Sequence, residues 1–464
     1  MNKASRIFWP VLVTPKNAIV KHTEQLSRSQ KLLTEMGLVK PGSNGTFQIM
    51  PICQRVLDKC TELVQQNMQN AGGQKITLPI LTPTQLWKKT GRLDGDISEF
   101  YMVRDRSGKQ FLMSPTHEEA ITAMLATNAP ISYRQLPLRL YQIGPKFRDE
   151  LKSRFGLMRA KEFLMKDMYT FDLSTEAAKD TYTAISAAYD HLFNQLEVPF
   201  VKVNAATGMM GGSLSHEYHY ISAVGEDTLL QCQVCNYAGN AEILGETESA
   251  ESAKCPNCNG VNLSQVRGIE VAHTFLLGDK YSKPLGATFL NTAGKPEPLI
   301  MGCYGIGITR VIAAALEVLS SEQELRWPKL LAPFDVCVIG PKQGSKEQQV
   351  AESIETELLS QLTQICRAQD LLHDDRKDLT IGKRLLDAKR LGHPLIIVVG
   401  AKAAQAEAPK LEIHVSGSEK QDLDREAVLR VVAAHIKRKR KLLTFTDNTE
   451  TAPASMKQQS ALFN

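Results

Sequence analysis

Apolar positions at the helical period run through residues 24 to 36 and 52 to 70, predicting two helices near the start of the chain. "GGQKITLPI" then reads as a short strand from Lys75 to Pro79, a proline being natural at a strand end. "FYMVRDRSGKQFLMSP" predicts a charged hairpin turning at Ser107 and Gly108, followed by a helix from His117 to Thr127. A long helix is predicted over 174 to 196 and a strand at "FVKVN". After a cysteine-bearing segment come the apolar "IEVAHTFLLG" and a glycine-rich passage from strand to helix, "MGCYGIGITRVIAAALEVL".

Antiparallel strands with scattered helices predict an α+β fold for this first part. "RWPKLLAPFD", with its two prolines, reads as a domain boundary. Beyond it, strand (336 to 340), helix (346 to 366), strand at "LLHDD", helix (382 to 391), strands "PLIIVVG" and "LEIHV" and a last helix to Lys441 alternate as in a small α/β domain. The sequence divides into an arm at 1 to 23, a main domain at 24 to 328, a second domain at 329 to 441 and a tail at 442 to 464 that reads as disordered.

One stretch fits no simple pattern. In "FRDELKSRFGLMRAKEF", residues 147 to 163, charged side chains sit among apolar ones of strand type. With period two, Arg148 and Glu150 share one face of a first strand, and Arg159, Lys161, Phe163, Met165 and Asp167 share one face of a second. The intervening 151 to 158, with Lys152, Arg154 and Gly156, reads as a basic, mobile loop. An edge hairpin with solvated charges fits this segment taken alone, without accounting for why a sheet face should carry so much charge.

Composition narrows the class. At 464 residues, 43% hydrophobic and 23% charged, the chain has the make-up of a two- or three-domain soluble enzyme. A net charge of +5 permits a polyanionic partner without requiring one. Residues 1 to 23 carry Lys3, Arg6, Lys16 and Lys21 and no acid before Glu24, as an organellar presequence or a plain basic arm would, and 437 to 441 read "KRKRK". No apolar run approaches the roughly 18 residues of a membrane span. Nine cysteines argue against a disulfide scaffold and for a reducing compartment, the cytosol or the mitochondrial matrix.

Three motifs carry candidate chemistry. Cys232, Cys235, Cys255 and Cys258 form "CQVC" and "CPNC", two knuckles with nineteen residues between them, the spacing of a closed structural zinc ribbon; two unrelated pairs of buried thiols are the alternative. "GCYGIGITR" lacks the lysine of a P-loop and the full dinucleotide spacing, but it places Arg310 one turn into a helix. An arginine there either clamps a terminal phosphate or sits exposed at a glycine-packed helix start. In "SPTHEE", Thr116 with Glu119 can form a capping box, or Thr116 and Glu118 can receive the protons of a cationic amine.

Taken together, "GGQKITLPILTP", "FRDE" with "RAKEF", and "GCYGIGITR" resemble the three signature motifs of the class II aminoacyl-tRNA synthetases, specifically the prolyl enzymes of bacterial and mitochondrial type. "SPTHEEA", "KEFLMKDMYTF", "GIEVAHTFLLGDKYS", "LLAPF" and "DDRKDLTIGKRLLDAKRLGHPLIIVVG" extend the resemblance over residues 25 to 436. It implies a catalytic domain on an antiparallel sheet, a C-terminal α/β anticodon-binding domain, and a proline–tRNA ligase using ATP with Mg²⁺, proline and tRNA(Pro). By the same resemblance the enzyme is a homodimer joined near Pro79 and works in the mitochondrial matrix, with the cytosol as the alternative.

The resemblance also implies roles for residues. Arg148 holds the α-phosphate and the prolyl carboxylate, Glu150 contacts the adenine side, Phe163 stacks on the base and Arg310 grips the γ-phosphate; Arg159 belongs to the same ATP-binding set. Thr116 and Glu118 bind the secondary amine of proline, with Asp167, Tyr169, His273, Phe275 and Cys303 walling the pocket. The basic loop reaches the acceptor end of tRNA, and Asp374, Asp375, Arg376 and Lys383 touch the anticodon, although "DDRKD" read without the family is a solvated turn.

Departures from the family pattern limit what carries over. Residues 205 to 268 leave room only for the short cysteine segment (229 to 268) where many bacterial relatives hold a large editing domain, so hydrolysis of mischarged alanine is not expected within this chain. Ala272 stands for the usual glycine and Ser114 for a frequent threonine. A non-catalytic synthetase-like subunit should have lost Arg148 and Arg310, and both are present. A zinc-ribbon nucleic-acid binder is disfavoured by Glu242, Glu246, Glu248 and Glu251, and a threonyl enzyme by the lack of matching zinc ligands.

Overall fold

A computed structural model of the chain describes residues 1–10, 26–95, 98–127, 131–235, 237–244, 254–261, 263–405 and 407–443. The arm positions 11 to 25 and the tail from 444 onward lie outside the described residues. No helix among the described residues is long and apolar enough to cross a membrane.

A nine-stranded sheet organises the first part of the chain. In spatial order its strands are Leu214–Ile221, Phe200–Asn204, Ala238–Asn240, Asp227–Cys232, Leu263–Gly278, Ile300–Gly307, Glu162–Asp172, Leu138–Phe147 and Gln74–Lys75. The long strand Leu263–Gly278 also pairs with Leu214–Ile221, so the first five strands close on themselves as a small ring. Helices Pro51–Asn70, Thr175–Gln195 and Ile308–Leu319 cover one face, where Met168, Tyr304 and Ile306 join Leu63, Tyr189 and Ile312 in the largest core cluster. The opposite face, carrying Asp167, Tyr169, Phe275 and Cys303, turns toward a cavity.

This two-sided arrangement explains the central hairpin's lack of a single apolar face. Phe163, Met165 and Asp167 face the cavity as the period-two reading predicts, and their alternates face the helices. One alternate is a lysine. Lys166 is wholly buried, its ammonium donating to the Tyr189 hydroxyl and, at 2.9 Å, to the Tyr304 carbonyl, and burial pushes its pKa down to about 7.

Several expectations need correction. The hairpin strands are Leu138–Phe147 and Glu162–Asp172, so Arg148, Glu150 and Arg159 lie beyond them in the connection. Pairing ends because the Asp149 N–H donates to the Glu99 carbonyl at 2.9 Å, drawing the chain away from its partner. The loop is also less mobile than its polarity suggests: Leu157 and Met158 are buried in the main core. The strand expected from Lys75 to Pro79 pairs only at Gln74–Lys75, and the Leu78 N–H turns instead to the Gln142 side chain at 3.1 Å.

The C-terminal sheet runs Asn2–Lys3, Leu371–Asp374, Val336–Ile339, Leu395–Val398, Leu411–Val415, Gln421–Leu423. Helices Gln348–Ile365 and Arg425–Leu443 pack on one face and Ile381–Arg390 on the other. Its first strand comes from the segment read as an arm. Asn2 and Lys3 pair in parallel with Leu372 and His373, Ala4 is buried, and the Trp9 indole donates to the Met36 carbonyl of the first part of the chain at 2.5 Å. The boundary segment is likewise packed: Trp327, Leu330 and Leu331 belong to the main core and Phe334 to the C-terminal one.

Candidate active site

The central cavity, about 510 Å³, is walled by Thr116, Glu118, Arg148, Phe163, Asp167, His273, Phe275, Cys303 and Arg310, residues drawn from segments up to nearly two hundred positions apart. A recess of about 230 Å³ opens beside it, lined by Arg148, Glu150, Arg159, Glu226, Asp227, Glu270 and Arg310. Arg148 and Arg310 belong to both. Of the expected pocket residues only Tyr169 stands back, fully buried behind the wall.

The arginines differ in their partners. Arg310, third in the helix that the glycine run opens, donates to the Met158 carbonyl at 2.7 Å and to Glu270, through its carbonyl at 3.1 Å and its carboxylate at 3.3 Å. Although burial works the other way, the His273 imidazole and the Arg310 guanidinium hold the Glu270 carboxyl well below the usual range. Arg148 forms no ion pair among the described residues; its guanidinium lies 5.3 Å from the centre of the Phe163 ring. Burial first, and the nearby Arg310 charge second, push Arg148 below its ordinary value. A cation so placed gains from an incoming anion.

Glu150 and Arg159 both line the recess, where they meet each other. Arg159 donates to Glu150 at 2.7 Å and also to Glu226, so each is engaged by the other before any ligand arrives. Glu150 stays at the recess wall as the acceptor that orients this pair.

The other end of the cavity is acidic and buried. The Thr116 hydroxyl lies 2.8 Å from both oxygens of Glu118, the Cys303 thiol donates to the same carboxylate at 3.0 Å, and Arg92 bridges Glu118 and Glu119 at 3.2 and 3.3 Å. Burial and the Glu118 charge push the Cys303 thiol well up, which keeps it a donor and removes it as a nucleophile. Helix Glu118–Ala126 starts at His117 with no side-chain cap, so Thr116 serves this cluster and the capping box is not formed. Behind it the Tyr169 hydroxyl donates to Asp167 at 2.8 Å and receives the His117 N–H at 2.8 Å, and Lys146 pairs with Asp167 at 2.7 Å. The His273 and Phe275 rings stack with centroids 3.8 Å apart, forming a flat wall.

Burial is the main influence on Glu119 and raises it to about 7, with Arg92 opposing. The folded state therefore holds a proton that the unfolded chain releases near pH 4.5, and this residue's contribution to stability falls as pH rises from about 4.5 to 7. Glu119→Gln removes that penalty while leaving Glu118 to neutralise Arg92. The variant is expected to melt several degrees above the parent at pH 8 and close to it at pH 5, as checked by thermal denaturation at both values.

The four cysteines converge. Cys232 and Cys258, and Cys235 and Cys255, have sulfurs 3.6 Å apart, and all four lie within 4.8 Å of one another. A tetrahedral zinc with bonds of about 2.3 Å sets its sulfurs about 3.8 Å apart. The Asn257 amide helps bring Cys235 down to about 6, whereas Cys258, despite the Gly260 N–H, is pushed up to about 12 by the neighbouring thiols. Four thiolates at this spacing need a cation, so the donor set fits one.

In the C-terminal domain Asp374 is buried and accepts two bonds from Arg376, at 2.8 and 2.6 Å; Arg376 also reaches Asp387 at 3.3 Å and lies 5.0 Å from the Trp9 ring. Asp375 accepts from the Ser5 N–H and hydroxyl at 2.9 and 2.7 Å. Asp374 thus braces the turn from a buried position. Lys383, half-exposed and paired with Asp387 at 2.6 Å, remains at the surface.

Residues 101–319 match the tRNA synthetase class II core domain (G, H, P, S and T), and residues 335–435 match an anticodon binding domain. A human relative named "Probable proline--tRNA ligase, mitochondrial" is 45% identical over 406 residues, covering 86% of this chain and 84% of that protein. The chain belongs to the proline–tRNA ligase family. A fission-yeast member (Schizosaccharomyces pombe) of the same printed name is 38% identical over 89% of this chain and 95% of its own. In fold the chain resembles the Giardia lamblia prolyl-tRNA synthetase solved in complex with prolyl-adenylate, at a TM-score of 0.70 and 18% identity, covering 89% and 80% of the two chains.

For this family member, the residues that sequence reasoning missed are mostly partners of those it found. Arg92, Glu217, Glu226 and Glu270 hold Glu118, His273, Arg159 and Arg310 in place. Glu270 had a readable signal, its position in the same strand as His273 and Phe275. The others sit in turn-like or apolar surroundings that give no charge pattern.

Proposed function

We propose that the chain is a proline–tRNA ligase: it activates proline with ATP to prolyl-adenylate and passes the prolyl group to the 3′ end of tRNA(Pro). One observation carries this reading: a single cavity holds an arginine with no ion pair among the described residues over an aromatic ring at one end, and a buried carboxylate beneath a hydroxyl at the other.

Adenine fits on Phe163 with the phosphates toward Arg148 and Arg310. The proline amine, a cation, fits the Thr116–Glu118 end, and its ring fits against His273 and Phe275. A carboxylate oxygen of proline then forms a bond to the α-phosphorus while the bond to the β-phosphate oxygen breaks and pyrophosphate leaves. In the second step a terminal ribose hydroxyl of tRNA attacks the prolyl carbonyl, loses its proton, and AMP departs. Arg148 and Arg310 act by positioning and by stabilising the charge that develops on phosphate oxygens. Mg²⁺ accompanying ATP supplies further neutralisation, and the carboxylates of Glu217 and Glu270, clustered with His273, suit a hard cation.

The four-cysteine site suits zinc in a structural role. Lys383 and the basic loop 151 to 158 are candidates for tRNA contact. A homodimer joined through the first motif is supported by the exposed apolar Leu81 and Met102 of the neighbouring small sheet. The mitochondrial names of the relatives support a place of work in the mitochondrial matrix.

The test is ATP–pyrophosphate exchange with each of the twenty amino acids. Exchange with proline alone, followed by charging of tRNA(Pro), is the expected result. Folded protein that exchanges no amino acid would overturn it.

A further inference from the structure

The cysteine site lies at the far tip of a hairpin whose base reaches the nucleotide recess. Strands Asp227–Cys232 and Leu263–Gly278 pair from Asp227 opposite Gly268 to Cys232 opposite Leu263, a run of roughly 17 Å. Each strand leads from the thiols to the active site. The first begins next to Glu226, which accepts from Arg154 at 2.5 Å and from Arg159, and Arg159 in turn donates to Glu150 at 2.7 Å. The second continues to Glu270 and His273, the groups that engage Arg310 and wall the pocket.

The base of the hairpin is fixed in place. A Cβ built on Gly225 would lie 2.3 Å from the Gly268 carbonyl oxygen, and the Gly225 carbonyl accepts from Arg267 at 3.0 Å. The turn before Glu226 therefore cannot shift without moving the long strand. The tip has far less to hold it. The hydrophobic cluster of this ring comprises Val201, Val203, Leu229 and Ala238, with Ile221 and Val266 packed on it. A core that small is stabilised in other proteins by a disulfide or a metal, and the four sulfurs stand where a metal would act.

We propose that the cysteine hairpin is a positioning element of the nucleotide site, its metal-bound tip fixing the strands that deliver Glu226 to the Arg154–Arg159–Glu150 loop. This deepens the zinc assignment proposed above and rests on it. Glu226 is then a positioning residue, acting on the nucleotide through Arg159 and Glu150. Its loss would leave Arg154 and Arg159 without their shared acceptor and loosen the exposed part of the loop, around Lys152 and Arg154, while Leu157 and Met158 stay in the core.

The experiment begins with metal analysis of the purified protein, then compares the parent, the parent after zinc removal by a chelator with Mg²⁺ resupplied, Cys258→Ser, and Glu226→Gln. Each is assayed for ATP affinity by equilibrium dialysis, for the KM of ATP and of proline in exchange, for tryptic cleavage after Lys152 and Arg154, and for global fold by circular dichroism. About one zinc per chain is expected. Its removal should weaken ATP binding about fivefold or more, leave the KM of proline within about twofold, and speed cleavage in the loop. Glu226→Gln should reproduce the ATP and cleavage effects with zinc still bound. Zinc present, but ATP affinity unchanged on its removal or in Glu226→Gln, overturns the coupling and leaves the zinc assignment standing. No metal in the parent overturns the assignment and the proposal together. Unfolding of the zinc-free forms, with Glu226→Gln indistinguishable from the parent, overturns the proposal in favour of a stabilising role alone.

Discussion

Arg148→Ala is expected to lower proline-dependent ATP–pyrophosphate exchange by roughly three orders of magnitude, with the thermal midpoint within a few degrees of the parent. The first expectation follows from where the charge points. Arg310 already has the Glu270 carboxylate and the Met158 carbonyl, whereas Arg148 has the face of Phe163 and the cavity. A donor pre-aimed at a site where phosphate charge develops is worth about 10²–10³ in rate, and Arg148 lies 5.3 Å from the centre of the Phe163 ring proposed to hold adenine. The second follows because no ion pair of the described residues is lost and a half-buried cation repelled by Arg310 is removed. Arg148→Lys should recover little, since a single ammonium cannot make the planar, two-pronged contact of a guanidinium. Exchange assays beside thermal melts decide it; exchange within tenfold of the parent would remove Arg148 from the phosphate-binding role.

Glu118→Ala should raise the KM of proline by about two orders of magnitude with the KM of ATP nearly unchanged. The carboxylate is completely covered, accepts from Thr116, Cys303 and Arg92, and is the negative charge closest to the Thr116 hydroxyl. A hydrogen bond to a charged group contributes about 1.5–3 kcal/mol, and the secondary ammonium of proline would lose both the charge and the hydroxyl orientation that Glu118 imposes. Breaking a buried pair ordinarily destabilises a fold severely. Here Arg92 retains Glu119, and Glu119, relieved of its like-charged neighbour, ionises more readily. The fold should therefore survive well enough for kinetics. Glu118→Gln, which keeps the shape and loses the charge, should fall between. A proline KM unchanged in both variants would place the amine elsewhere.

What the sequence made legible follows the reach of its patterns. Period two correctly put Phe163, Met165 and Asp167 on one face, because strand alternation is local and each face had something to meet. The glycine run correctly put Arg310 in the first turn of a helix. The end of the hairpin was not legible, since it is set by a hydrogen bond from Asp149 to Glu99, about fifty positions away and in another segment. Arg92 was missed for the same reason: it lies in "GRLDG", a turn by composition, and becomes significant only where the fold brings it to Glu118. The burial of Asp374 was not legible, because it opens a charged run, although it is also the last residue of the buried strand "LLHD" and its carbonyl accepts from the fully buried Arg384 at 3.0 Å.

The pairing of Asn2 and Lys3 with the strand Leu371–Asp374 also bears on how the protein behaves in solution. That pairing occupies a flank of the C-terminal sheet whose own residues are all buried. Were the first ten residues trimmed, or pulled aside by a bulky N-terminal fusion, the backbone donors and acceptors of Leu371–Asp374 would face water as an open edge. Such an edge is a template for another chain's strand. The strand Asn2–Lys3 thus doubles as a guard against self-association.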